Sequence, residues 1–175
     1  MGQSFAVAVL SLALLSPGLV FGKDGDSPAE CASARVERNK QVARTVFEEV
    51  LSKGRVDENE HIYHPAFVAH GRNRDAGRDE DRAASKGWRE AVPDLQMKVL
   101  RVVAECDLVT VHWAGSGTNT GTGNGLPATG KSMNNLWGMT IFRLDDGRIR
   151  EEWTVFDQYA MLQELGLLET GQAAK

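Results

Sequence analysis

The segment EEWTVFDQYAMLQELG, Glu151 to Gly166, places a carboxylate where a two-residue apolar period gives way to a helical one. That residue, Asp157, has two readings. It is a good helix N-cap, because its side chain accepts from the first free backbone N–H groups. It is also a general acid or base if the strand presents it to a partly dry interior, where desolvation lets a carboxyl hold its proton toward neutral pH. Strict alternation puts Ile149, Glu151, Trp153, Val155 and Asp157 on one face, and Arg150, Glu152, Thr154 and Phe156 on the other. Spacing alone leaves both roles open.

His61, His64 and His70 are spaced so that they could gather a metal, but Pro65 interrupts any regular face between them, and no metal is expected. His70 reads either as a second proton carrier at a pocket mouth or as a surface histidine. Trp113, Trp137 and Trp153 would wall an apolar cavity if their strands curl around one, with plain core packing as the alternative. The stretch GLPATGKS, Gly125 to Ser132, matches the phosphate-binding P-loop pattern by letter. Its context does not fit: a P-loop leaves a strand and opens a helix, whereas Lys131 leads into the strand pattern MNNLWGMTIF, and Pro127 removes an N–H donor. A turn-rich hairpin loop is expected there instead.

The chain that must position these groups has 175 residues and a net charge of −4. One domain of ordinary size is expected. Its Lys and Arg are scattered, which gives no electrostatic footprint for nucleic acid or an anionic membrane. Residues 1–22, MGQSFAVAVLSLALLSPGLVFG, carry no charged side chain and a long apolar run. They read as a secretory signal cleaved before Lys23, which implies a secreted or periplasmic protein with no stable membrane span after processing. Only Cys31 and Cys106 report on redox, and in an exported protein they could pair.

Residues 23–35 are small and polar and read as a linker, the domain as 36–170, and 171–175 as a disordered tail. From Val36 the positions Val42, Ala43, Val46, Phe47, Val50 and Leu51 follow helical spacing up to Gly54. Val56 to Gly71 reads as an irregular connection after a short helical start. A second helix is predicted over about Asp79 to Val92, with Ala83, Ala84, Trp88 and Ala91 inward, ended by Pro93. Beyond it the period becomes two, giving hairpins about Cys106 and about DDG, with a long mobile loop over 115–130 and a closing helix over 158–168. Helices followed by antiparallel strands predict an α+β domain.

The combination YHPAFVAHG, AVPDLQ, the GTNTG…LPATGK loop and IFRLDDGRIREEWTVFDQYAMLQELG resembles the SnoaL-like polyketide cyclase (ester cyclase) family, within the nuclear transport factor 2-like superfamily, over about residues 39 to 168. The resemblance implies a cone of strongly curved antiparallel sheet with about three helices packed on its concave face. It also implies an apolar cavity for a small hydrophobic or carbonyl-bearing molecule, cofactor-free cyclase or isomerase chemistry, and Asp157 as the proton-transferring residue; His70 or Asn119 is expected to assist it. Asn119 stands where the family's loop often has histidine, and Thr140 or a neighbour where a second one lies. Asn119 can still hydrogen-bond a carbonyl. Asn119, Thr140, Phe67 and the three tryptophans are the expected ligand contacts. A non-catalytic periplasmic small-molecule binding protein and a dimeric interaction module joined through the sheet are the alternatives.

Overall fold

A computed structural model describes residues 31–168. The predicted signal, most of the linker and the C-terminal tail lie outside the described residues. The element order is α1 (Ser33–Thr45), β1 (Tyr63–His70), β2 (Ala76–Gly77), α2 (Arg78–Ala91), β3 (Gln96–Glu105), β4 (Leu108–Thr118), β5 (Ser132–Asp145), β6 (Arg148–Phe156) and α3 (Gln158–Glu164). Between α1 and β1, the helix continues as a π-helical stretch over Val46–Leu51 and stops at Gly54, whose φ of 70° is the left-handed turn that glycine takes without strain.

The strands form one sheet in the order β2-β1-β6-β5-β4-β3. The expected α+β class holds, and the sheet is mixed: β1 runs parallel to β6, while the other pairs are antiparallel. The segment read as an irregular connection is therefore largely a strand. Pro65 hid it, and Pro65 is tolerated because it lies in the irregular stretch between Tyr63 and Val68, where the pairing with β6 breaks.

Helices α1 and α2 cover the inner face. Ala43, Phe47 and Val50 from the first helical segment meet Val109, Val111, Phe142 and Ile149 from the sheet, all at most 2% exposed. Met161 and Leu165 of α3 seal one end of this core. The remaining candidate bridge is formed: Cys31 and Cys106 are joined as a disulfide, which ties the chain just ahead of α1 to the β3–β4 turn. Beside it the buried Asn39 donates from Nδ2 to the Cys106 carbonyl at 3.2 Å.

The loop between β4 and β5, predicted to be mobile, is docked on α2. The Gly121 N–H donates to the Ala91 carbonyl at 3.1 Å, and Asn124 Nδ2 donates to the Ala84 carbonyl at 2.9 Å. Gly123 approaches so closely that a Cβ there would lie 2.1 Å from the Gly87 carbonyl oxygen. Gly121 and Gly123 are thus packing requirements, whereas Gly125 and Gly130 supply positive φ angles of 76° and 69°. Ser132 after Lys131 begins β5, so the P-loop letters lack the helix that would make them a phosphate site.

Candidate functional site

The inner face of the sheet and the two covering helices enclose a cavity of about 140 Å³. Its walls are apolar and aromatic: Phe47 and Leu51 from the π-helical stretch, Trp88 from α2, and Met97, Trp113, Leu136 and Phe156 from the sheet. A π-helical turn widens a helix locally and is often found at functional sites; here it supplies Val46, Phe47 and Leu51 to one wall.

Two carboxylates enter this apolar space. Asp81 comes from the first turns of α2 and Glu152 from the middle of β6. Loss of solvent pushes the Glu152 carboxyl up to about 8, and the neighbouring Asp81 charge adds to the effect. Desolvation raises Asp81 to about 6. Glu152 is half-buried and lines the cavity. The positive end of α2 favours an anion at its first turn, which agrees with Asp81 being the first of the two to ionise. Both carboxyls therefore hold protons further toward neutrality than ordinary carboxyls do, Glu152 the more firmly. Tyr63 of β1 lines the same space, and burial and the two carboxylates keep its phenol protonated well beyond the ordinary range.

A hydrogen-bonded chain fixes Glu152. Trp113 Nε1–H donates to Thr140 Oγ1 at 3.0 Å; Thr140 Oγ1 and Thr154 Oγ1 are 2.8 Å apart; Thr154 Oγ1 donates to Glu152 Oε1 at 2.7 Å. Thr154 has one hydroxyl proton and gives it to Glu152 Oε1, so Thr140 donates to Thr154 and the chain runs from the indole toward Oε1. That leaves Oε2 as the oxygen free to carry the proton. Behind Asp81 lies a side chamber of about 10 Å³, near the size for one water, which Asp81, Tyr63 and Ser85 share with Glu60, Arg78 and Arg82. Arg78 pairs with Glu60, and Arg82 with Asp57 at 2.6 Å. These cations are already neutralised, and among the described residues no Lys, Arg or His lines the main cavity.

Of the residues expected from sequence, Trp113 and Thr140 reach the cavity. Asp157 does not: it is exposed, caps α3, and accepts from the Ala160 N–H at 2.9 Å through Oδ1. Asn119 is fully buried but spent on the loop. Its Nδ2 donates to the Ala91 and Gly121 carbonyls, and its Oδ1 accepts from Thr129 N and Oγ1, each at 3.0 Å. Phe67 packs edge-on against Tyr63, one layer away from the cavity wall. His70 stacks on Trp153 with ring centres 4.6 Å apart on the outer face of the sheet, with Asp75 at 3.2 Å and Glu151 at 3.6 Å. Trp137 is also outside and 53% exposed. His61 and His64 are engaged locally, with the Glu58 carbonyl and the Ala66 N–H respectively.

The misplacement of Trp153 and Asp157 has one cause. In the β5–β6 pairing, Leu144 faces Ile149 but Arg143 faces Glu151, so Arg150 is an extra residue in β6. Ile149 points inward, and after the bulge the inward set is Glu152, Thr154 and Phe156 rather than Glu151, Trp153 and Val155. Asp81 had a visible signal, lying one turn ahead of Ser85 and two ahead of Trp88 on the inward stripe of α2, but the charge run around it reads as solvated surface.

Residues 41–165 match the family model of the SnoaL-like polyketide cyclases. The chain belongs to that family. Among solved structures, a Jannaschia sp. CCS1 protein described as a candidate SnoaL-like polyketide cyclase is similar at 23% identity and a TM-score of 0.70, over 78% of this chain and 97% of the other. TsrD from Streptomyces laurentii is similar at 24% identity and a TM-score of 0.67, over 75% and 97%. An LEH-like epoxide hydrolase of M. tuberculosis, at 16% identity and a TM-score of 0.58 over 75% and 92%, shares the fold. No curated protein sequence matches the chain.

Proposed function

We propose that this chain is a cofactor-free acid–base enzyme that enolises a small, largely apolar carbonyl compound, with Asp81 and Glu152 as the proton-transferring pair. The observation that carries this reading is the placement of two carboxyls with unequal proton affinity in one apolar cavity. Two titratable groups pushed apart by their surroundings supply an acid and a base at the same pH. Asp81, ionised near neutrality, removes the proton from the carbon next to the carbonyl. The Glu152 proton on Oε2 passes to the carbonyl oxygen as the C–H electrons form the enol C=C bond. The neutral enol then either attacks a second carbonyl, closing a ring in an aldol step in which the enol O–H proton returns to Glu152 and the Asp81 proton passes to the oxygen of the second carbonyl as its C=O π bond breaks, or is reprotonated at carbon by Asp81 while Glu152 takes back the O–H proton. Both routes return each carboxyl to its starting state.

The test is solvent exchange, which needs no knowledge of the natural substrate. In D₂O at pH 7, small apolar ketones such as 2-tetralone should gain deuterium beside the carbonyl faster with the protein than without it. Asp81→Asn should reduce that rate to background, and Glu152→Gln should slow it by roughly 10²-fold or more. Equal exchange rates for parent and Asp81→Asn would refute the assignment.

Export is part of the proposal. It is supported by the apolar leader and by the Cys31–Cys106 disulfide, since such bridges persist mainly in oxidising compartments. Protein recovered from the producing cells should begin at Lys23, lie outside the cytoplasm and carry the bridge. Reduced chain retaining residues 1–22 in the cytoplasm would contradict it.

A further inference from the structure

We propose that lipophilic organic ammonium ions are ligands of this cavity, held with the charged nitrogen between Asp81 and Glu152 and the hydrocarbon against the aromatic walls. The inference rests on the same cavity as the proposed function but not on its chemistry. Two carboxyls face the enclosed space, and none of its lining residues is cationic. Asp81 makes no ion pair among the described residues. Glu152 has one oxygen engaged by Thr154 and the other free. The walls that meet them, Phe47, Tyr63, Trp88, Trp113 and Phe156, present π-faces and edges from four different elements and the π-helical stretch beside them. A carboxylate in such surroundings lacks a counter-charge, and an apolar cation supplies one together with cation–π contacts. An anion of the same shape meets like charge with no donor cation to offset it. The cavity should therefore sort molecules of one skeleton by charge, in the order cation, neutral, anion.

The same geometry links binding to protons. The groups that face Asp81 and Glu152 are each other, Tyr63 of β1, and, across the side chamber, Arg78 and Arg82 of α2 with Glu60. Both arginines are committed to Glu60 and Asp57. An entering ammonium favours the ionised pair, so it expels the proton that the pair holds near neutrality, and its affinity rises with pH until both carboxyls are ionised. An alkylamine keeps its own proton over that range, as the Lys side chain does up to about pH 10.4.

The experiment uses three probes with one skeleton, 1-naphthylmethylamine, 1-naphthalenemethanol and 1-naphthoate, titrated into the disulfide-intact mature chain by calorimetry at pH 5 and pH 8. At pH 8 the amine should bind at least about tenfold more tightly than the alcohol, a difference of about 1.4 kcal/mol, and the acid should bind least. The amine's advantage should shrink at pH 5 and disappear in the double variant Asp81→Asn/Glu152→Gln, with the alcohol's affinity unchanged. Circular dichroism of that variant verifies its fold, and the alcohol titration verifies its cavity. Amine binding no tighter than the alcohol at pH 8, or an advantage that survives the double substitution, would overturn the inference. The result separates from the enolisation assay: charge sorting without exchange refutes only the proposed reaction, and exchange without charge sorting refutes only this ligand class.

Discussion

Glu152 is the residue on which the chemistry turns, and its burial makes a thermodynamic prediction that needs no ligand. The folded chain holds its proton up to about pH 8, whereas the unfolded chain releases it near the ordinary 4.5. Between those values the folded state binds more protons, so this group's contribution makes stability fall as pH rises. Asp81, pushed to about 6, adds the same slope over the lower part of the window. Glutamine has no proton to lose and still accepts from Thr154. Glu152→Gln should therefore be close to neutral for stability at pH 4 and stabilising by ~1–3 kcal/mol at pH 8.5. Urea unfolding at the two pH values measures it, and an effect of equal size at both would contradict the assigned burial. The same substitution removes the acid from the proposed reaction, so stability and turnover should change in opposite directions, as expected where a functional group is held in an unfavourable setting.

The elements were unevenly legible in the sequence, and the reasons are local. Both long helices and the four strands after Pro93 follow from apolar periodicity, because apolar residues recur along most of each element at the helical or two-residue spacing. Strand β1 did not, since Pro65 breaks the pattern that would announce it. The site suffered most from a single irregularity: alternation is a reliable guide to which face a strand residue takes until a bulge intervenes, and the bulge at Arg150 lies two residues before the acid. Asn119 was legible as a special residue but not as a peg whose four bonds all go to protein. At this scale, Asn119→Ala should cost ~2–3 kcal/mol, since it removes four hydrogen bonds at a fully buried side chain, although the Ala91 carbonyl keeps the Gly121 N–H and the Thr129 N–H keeps the Asn119 backbone carbonyl. Asp157→Ala, which removes only the cap of the short α3, should cost about 1 kcal/mol. Chemical denaturation of the two variants side by side checks the ranking, and a larger loss at Asp157 would mean that its side chain does more than cap.

For the whole molecule, the Cys31–Cys106 bridge connects residues 75 apart in sequence and joins the start of α1 to the far edge of the sheet. Closing so long a segment restricts the unfolded chain, and reduction should lower stability by roughly 2–4 kcal/mol. Comparing thermal unfolding with and without reductant, at a pH where the carboxyl pair is protonated, isolates this term; an unchanged transition would show that the bridge is dispensable to the fold. α1 carries the π-helical stretch, so the bridge also anchors, at one remove, the wall that holds Phe47.

The bulge in β6 has a last consequence for how this strand tolerates copying errors. Loss of Arg150 would leave Ile149 and Glu152 on the inner face, because the two residues then flank Glu151 in plain alternation. Gain of one residue at the same place also restores plain alternation and keeps Glu152 inward, but with Ile149 still opposite Leu144 the acid slides along the sheet to face Thr140 instead of Phe142. Deletions and insertions of equal length are therefore not equivalent here: both straighten the strand, but one leaves the acid opposite Phe142 and the other moves it two residues along the cavity wall.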